Sequence, residues 1–114
     1  MKRIEAIIQR DQLGAAADAL KNAGVGGFTV VDTKGRGSGE RPTIRGGRGT
    51  SSYVAEYNTA SSIITIVDDS QVDAVMSAIA DAVHTGKPGD GIISVTNVED
   101  ALNISSKKKG TEAL

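Results

Sequence analysis

Lys2 to Ile8 is short and apolar-rich, and the polar run Gln9-Arg10-Asp11-Gln12 closes the segment, which predicts a short strand. Ile4, Ala6 and Ile8 fall on one side of that strand and Ile7 on the other. Leu13, Ala16, Ala17, Leu20 and Ala23 then recur at steps of three and four, the spacing of an amphipathic helix. Asp11 is the expected N-cap of this helix, and Gly24 stands where a left-handed residue ends it. Phe28 to Thr33 is aromatic and β-branched and predicts a second strand; Ile63 to Val67 predicts a third. Val72, Val75, Met76, Ile79 and Val83 mark a second helix, with Asp68 and Asp69 placed to cap its free N–H groups. Lys87 to Gly91 reads as a turn, Ile92 to Val95 as a fourth strand, Glu99 to Leu102 as a short helical turn and Ile104 as a last short strand.

The order is β-α-β, a long loop, then β-α-β, within a single domain spanning residues 1–114. Two βαβ units of similar length give an α+β, ferredoxin-like βαββαβ arrangement, with both helices on one face of a four-stranded antiparallel sheet. Ile7 and Ile64 make the other face partly apolar as well. That face is therefore expected to pack against other subunits.

Between Lys34 and about Asn58 the periodicity fails. Six of the 14 glycines lie there, with Pro42 and four arginines, and apolar residues are too sparse to bury. A structureless, solvent-projecting loop is expected, and a loop of that length in so small a domain is usually functional. Charge singles out the same segment. Lys34, Arg36, Arg41, Arg45 and Arg48 fall within fifteen positions opposed only by Glu40, and Lys107, Lys108 and Lys109 form a second cluster. The rest of the chain carries five bases against 13 acids, a net of −8 hidden under an overall charge of −1. A partner or ligand that meets the two basic segments is implied.

Several classes of chemistry drop out. Cysteine is absent and His84 is the single histidine, so the usual zinc sites cannot be built. His84 ends a helix, where a cation complements the dipole. No P-loop motif occurs, and Gly35-Arg36-Gly37-Ser38-Gly39 lacks the following helix that a dinucleotide fingerprint needs. No run approaches the ~20 apolar residues of a transmembrane helix, and a cytoplasmic protein without membrane insertion is expected. Two glycine turns remain, Gly35-Arg-Gly37 and Gly89-Asp-Gly91. Turns of this kind bring backbone N–H groups close to an anion.

These residues resemble the PII signal-transduction family of nitrogen regulation. The resemblance rests on Met1-Lys-Arg-Ile-Glu-Ala-Ile-Ile8, Gly27-Phe-Thr-Val30, Lys34-Gly-Arg-Gly37, Val67-Asp-Asp with Val72-Asp73, and Glu112-Ala-Leu114. Most specific is Thr85-Gly-Lys-Pro-Gly-Asp-Gly91. It implies a homotrimer with three intersubunit clefts that bind adenine nucleotides, and a mobile T-loop, residues 36–58 here, that grips a membrane transporter or metabolic enzyme. Carried over by position, Ile7, Thr29 and Ile66 would touch the adenine. Gly35, Arg36, Gly37 and Ser38 would lie along the phosphates on one side, and Gly89, Asp90 and Gly91 on the other. Arg45, Arg48 and Tyr53 would meet the partner, and Tyr53 or Ser51 would be the modification site. The family contains regulators rather than catalysts, so no catalytic residue and no metal site follow from the resemblance.

The departures bear on the ligand. The family's lysine after Gly-Asp-Gly is Ile92 here, its C-terminal Arg-x-Arg is Asn103-Ile104-Ser105, and its lysine before the third strand is Ala60. The arginine after Gly-x-Gly is Ser38, and the glutamine that helps hold Mg and 2-oxoglutarate is Gly39. Hydrogen bonds to a charged group are worth roughly 1.5–3 kcal/mol each. Losing three removes roughly 4–9 kcal/mol, about three to six orders of magnitude in affinity. Mg-ATP with 2-oxoglutarate is not expected. AMP, ADP, cyclic AMP or another small anion remains, as does replacement of the missing charges by Lys107, Lys108, Lys109 and Arg36. A chain that has lost nucleotide binding and acts only through its T-loop is the alternative. A nucleic-acid-binding ferredoxin-like module has the basic loop in its favour but lacks strand aromatics on which bases stack. A hydrolase using Asp90 and Glu56 around a metal is a third class.

Overall fold

The computed structural model describes residues 1–38, 42–45 and 52–114, and of Arg45 and Tyr53 the backbone alone. Its strands are β1 (Lys2–Gln9), β2 (Thr29–Gly35), β3 (Thr43–Arg45), β4 (Ser52–Val54), β5 (Asn58–Val67) and β6 (Gly91–Asn97). Its helices are α1 (Leu13–Asn22) and α2 (Val72–Val83), each entered through a single 3-10 turn. The four long strands form one antiparallel sheet in the order β2-β5-β1-β6, and β3 pairs with β4 as a separate ribbon. Ile4, Ala6 and Ile8 of β1 and Ile63 and Val67 of β5 meet Ala16 and Leu20 of α1 and Val75, Ile79 and Val83 of α2 in one core. Both helices therefore cover the same face. This is the α+β ferredoxin-like fold that the periodicity predicts.

The helix ends show how local sequence fixes the layer. Gly24 takes φ +80° and donates to the Lys21 carbonyl while Val25 donates to Leu20, the paired bonds of a glycine-terminated helix. At the other helix, Asp68 accepts the Ser70 amide at 3.0 Å and Gln71 Oε1 accepts the Asp68 amide at 3.2 Å, a reciprocal cap. Asp69 takes the N-terminal ammonium at 2.8 Å. The bonds from Ser70 hold the Asp68 carboxyl below its usual value, and the bond to the ammonium does the same for Asp69. The aspartate pair is structural, as its position at a helix start suggests.

Four expectations are corrected. Asp11 does not cap α1: it sits inside the 3-10 turn Arg10–Gln12, which supplies the helix start without a side-chain cap. Glu99 to Leu102 is not helical, and the 3-10 turn of this region lies at Gly110–Ala113. Ile104 is in a turn rather than a strand, while Leu102 bridges Lys109. The long loop is not structureless throughout. β5 begins at Asn58 and β2 runs on to Gly35, because Thr33, Lys34 and Gly35 pair with Ala60, Thr59 and Asn58. Beyond them Thr43–Arg45 pairs with Ser52–Val54 and the Ala55 amide donates to Pro42 at 2.8 Å. Threonine, isoleucine, serine and valine in those short runs suit a ribbon, although none of its described side chains belongs to the core.

Candidate functional site

Strand register decides which residues share a face. Ile7 pairs with Ser62 and Ile92, Glu5 with Ile64 and Ser94, Arg3 with Ile66 and Thr96, and Thr29 with Ile64. Ile7, Thr29 and Ile66 thus project from one side of the sheet, the side away from the helices. Thr29 and Ile66 line an open groove of about 650 Å³ with Gly27, Ile64, Gln71 and Leu114; Ile7 stands further along the same face and does not line it. The groove's described side chains carry no charge. Nearby, Ser62 donates to Glu5 at 2.6 Å and Arg3 stands 3.6 Å from the same carboxylate, a polar thread between Ile7, Ile64 and Ile66.

The two glycine turns lie at one end of the sheet, on opposite edges. Gly35 closes β2 opposite Asn58, Gly91 opens β6 opposite Ile8, and Gln9 and Ala60 stand between them. Two strands separate these edges, so the turns are roughly 14 Å apart at ~4.8 Å per strand step. A small anion cannot bridge that span within one chain. Arg36, Gly37 and Ser38 continue from Gly35 as exposed, irregular backbone.

The second turn is the more fully built. Gly89 has φ +97° and Gly91 φ +127°, and a Cβ at Gly91 would fall 2.1 Å from the Ile7 carbonyl oxygen, so no side chain fits there. Asp90 accepts the Thr85 amide at 2.7 Å, the Thr85 hydroxyl and the Gly86 amide at 3.2 Å. Those bonds, the Thr85 hydroxyl first, hold its carboxyl below the usual aspartate value. His84 Nδ1 is 3.9 Å from the same carboxylate. The Asp90 side chain is thus engaged as a clasp on its own turn, and what this turn offers an anion is backbone. A small cavity of about 170 Å³ lies behind it, between Val83, His84, Asp90 and Ile92.

One asparagine ties the C-terminal segment together. Asn103 Oδ1 accepts the Ser105 and Ser106 amides at 3.0 and 3.1 Å, and its Nδ2 donates to the Ala113 carbonyl at 3.2 Å. Lys107 donates its amide to Asn103 and adopts φ +60°. Asn103 therefore organises the tail, and the exposed Lys107, Lys108 and Lys109 sit on the returning limb of that loop. Their side chains make no ion pair among the described residues. Arg48 and Ser51 and the side chains of Arg45 and Tyr53 lie outside the described residues. Among those described, no group of three or more His, Cys, Asp or Glu is placed to hold a metal ion, and no helix is long and apolar enough to cross a membrane.

Sequence reasoning missed the Asp90 clasp, although Thr85 and Asp90 flanking two glycines and a proline signal a turn that closes on itself. It also missed the contact of Gln9 with Gly89, which joins positions 80 apart and has no local signature.

Residues 1–108 match the family model for nitrogen regulatory protein P-II. The chain is 38% identical to nitrogen regulatory protein P-II of Azospirillum brasilense, 39% to that of Nostoc punctiforme and 37% to that of Synechocystis, each over the full length of both chains. Fold, glycine turns and full-length similarity agree: the chain belongs to the P-II family of nitrogen regulatory proteins, and its role is one of signalling and regulation.

Proposed function

We propose that three copies of this chain close through the aliphatic face of the sheet, and that the protein senses a small effector between them. The observation that carries this reading is the placement of the two glycine turns at one end of the sheet but on opposite edges. Only adjacent copies can bring Gly35–Ser38 of one chain against Gly89–Gly91 of the next. The effector is a weakly charged adenine nucleotide such as AMP, ADP or cyclic AMP, or another small anion. Gly35, Gly37, Gly89 and Gly91 give it backbone N–H groups, and Arg36 with Lys107, Lys108 and Lys109 supplies charge. Its adenine lies against Ile7, Thr29 and Ile66. Ser38 and Ile92 stand where the family has cations, which weighs against Mg-ATP with 2-oxoglutarate. Effector contacts at the root of the T-loop favour one arrangement of residues 36–58 over others, and that loop, with Arg45, Arg48 and Tyr53, meets a transporter or metabolic enzyme. The protein acts in the cytoplasm and catalyses no reaction.

Calorimetric titration with AMP, ADP, cyclic AMP and ATP, run beside light scattering, tests this. A trimer that binds AMP or ADP more tightly than Mg-ATP is expected; a monomer, or sub-micromolar Mg-ATP binding indifferent to replacing Arg36 and the three lysines by alanine, overturns it. A second reading, that the cleft has lost its ligand and only the T-loop acts, is favoured by Asn103, whose side chain is spent on the tail. It predicts a trimer that takes none of the four nucleotides.

A further inference from the structure

The segment from Thr85 to Gly91 is held from two directions. Within it, Asp90 gathers Thr85 and Gly86. From outside, Gln9 at the end of β1 donates its side-chain Nε2 to the Gly89 carbonyl at 3.0 Å. The Gln9 amide lies over the bare side of Gly89, where an added Cβ would come 3.7 Å from Nε2. Among the described residues no other side chain from outside 84–91 donates a hydrogen bond to this turn or accepts one from it.

Glycine leaves the peptide units around it free to rotate, and a rotated unit exchanges the directions of its carbonyl and its N–H. A trans peptide plane points the two oppositely. Drawing the Gly89 carbonyl toward Gln9 therefore turns the Asp90 N–H away from Gln9. We infer that Gln9 is a positioning residue, whose side-chain amide fixes the Gly89–Asp90 peptide and so the direction in which this turn presents the Asp90 N–H. The inference deepens, and rests on, the proposed reading of the turn as one wall of an effector cleft.

Gln9→Leu removes the donor at similar bulk, and Gln9→Lys returns a donor of similar reach. The full-length protein is to be followed by amide hydrogen exchange at Thr85 and Gly86, which reports closure of the turn, and by calorimetry with AMP. One net hydrogen bond corresponds to roughly three- to tenfold. Gln9→Leu is expected to speed exchange at Thr85 and Gly86 by that factor, to weaken AMP comparably and to leave exchange at Ile4 and Ile63 unchanged, with Gln9→Lys restoring all of it. Unmoved exchange at Thr85 and Gly86, or a lysine that fails to restore it, overturns the positioning role whatever AMP does. A loosened turn in a protein whose parent binds no AMP, ADP or cyclic AMP upholds the positioning role and sinks the cleft reading instead.

Discussion

Both faces of the central sheet carry branched aliphatic residues, and these end in different states. On the helix side, Ile4, Ile8, Ile63 and Val67 are at most 2% exposed. On the other side Ile64 and Ile66 are half-buried, Val31 is 47% exposed and Ile92 67%. Alternation along β1 and β5 puts apolar residues on both surfaces, fewer on the second, and α1 and α2 cover only the first. An aliphatic sheet face left to water loses the ~25 cal/mol per Å² that burial would return. The difference teaches that the two helices finish one side of the sheet and leave the other side's aliphatic residues partly in water.

The sharpest way to break this comparison uses neighbours on one strand. Ile63→Ala is expected to cost about 2–5 kcal/mol in denaturant unfolding, independent of protein concentration, because it opens a cavity under both helices. Ile64→Ala, one residue on, is expected to cost less, by an amount that grows with protein concentration as copies associate. Equal, concentration-independent losses would remove the distinction between the faces. Gly91→Ala comes next: with the Ile7 carbonyl in the way and φ at +127°, it should cost about 1–3 kcal/mol and loosen the β1–β6 ladder in amide exchange. Ser61→Ala sharpens the picture of the covered face. The Ser61 hydroxyl is fully buried and has no hydrogen-bond partner among the described residues, so its removal is expected to raise stability by about 1 kcal/mol in the same unfolding experiment. The smallest effect belongs to the sheet's end. Asp90 titrates below the ordinary aspartate value of 3.8, so its contribution is present above that pH and fades as pH falls through the lower folded value. Amide shifts of Thr85 and Gly86 should move in that acid window while those of Ile4 and Ile63 stay fixed.

What the sequence made legible follows the range of each interaction. Helices whose apolar residues repeat over ten to twelve positions, and strands bounded by glycine and proline, are local and could be read directly. So could the Asp68 cap and the left-handed Gly24. The end of β2 and the start of β5 could not, because Lys34 and Asn58 are poor strand formers held only by pairing across the sheet. Glu99 to Leu102 has helical composition, but Leu102 is claimed by Lys109. At the site, the glycine turns announced themselves by composition. Their separation across two strands depends on strand order, and the parts played by Gln9 and Asn103 depend on side-chain bonds to distant carbonyls; spacing encodes neither.

β1, at the centre of the sheet, finds its partners late. Ile7 lies opposite Ser62, 55 positions on, and opposite Ile92, 85 positions on. A nascent chain emerging from the ribosome would hold this inner strand unmatched on one edge until β5 is made, past the middle of the sequence, and on the other until β6, near its end. Refolding set by such distant closures belongs to the slower, millisecond-to-second class of small domains.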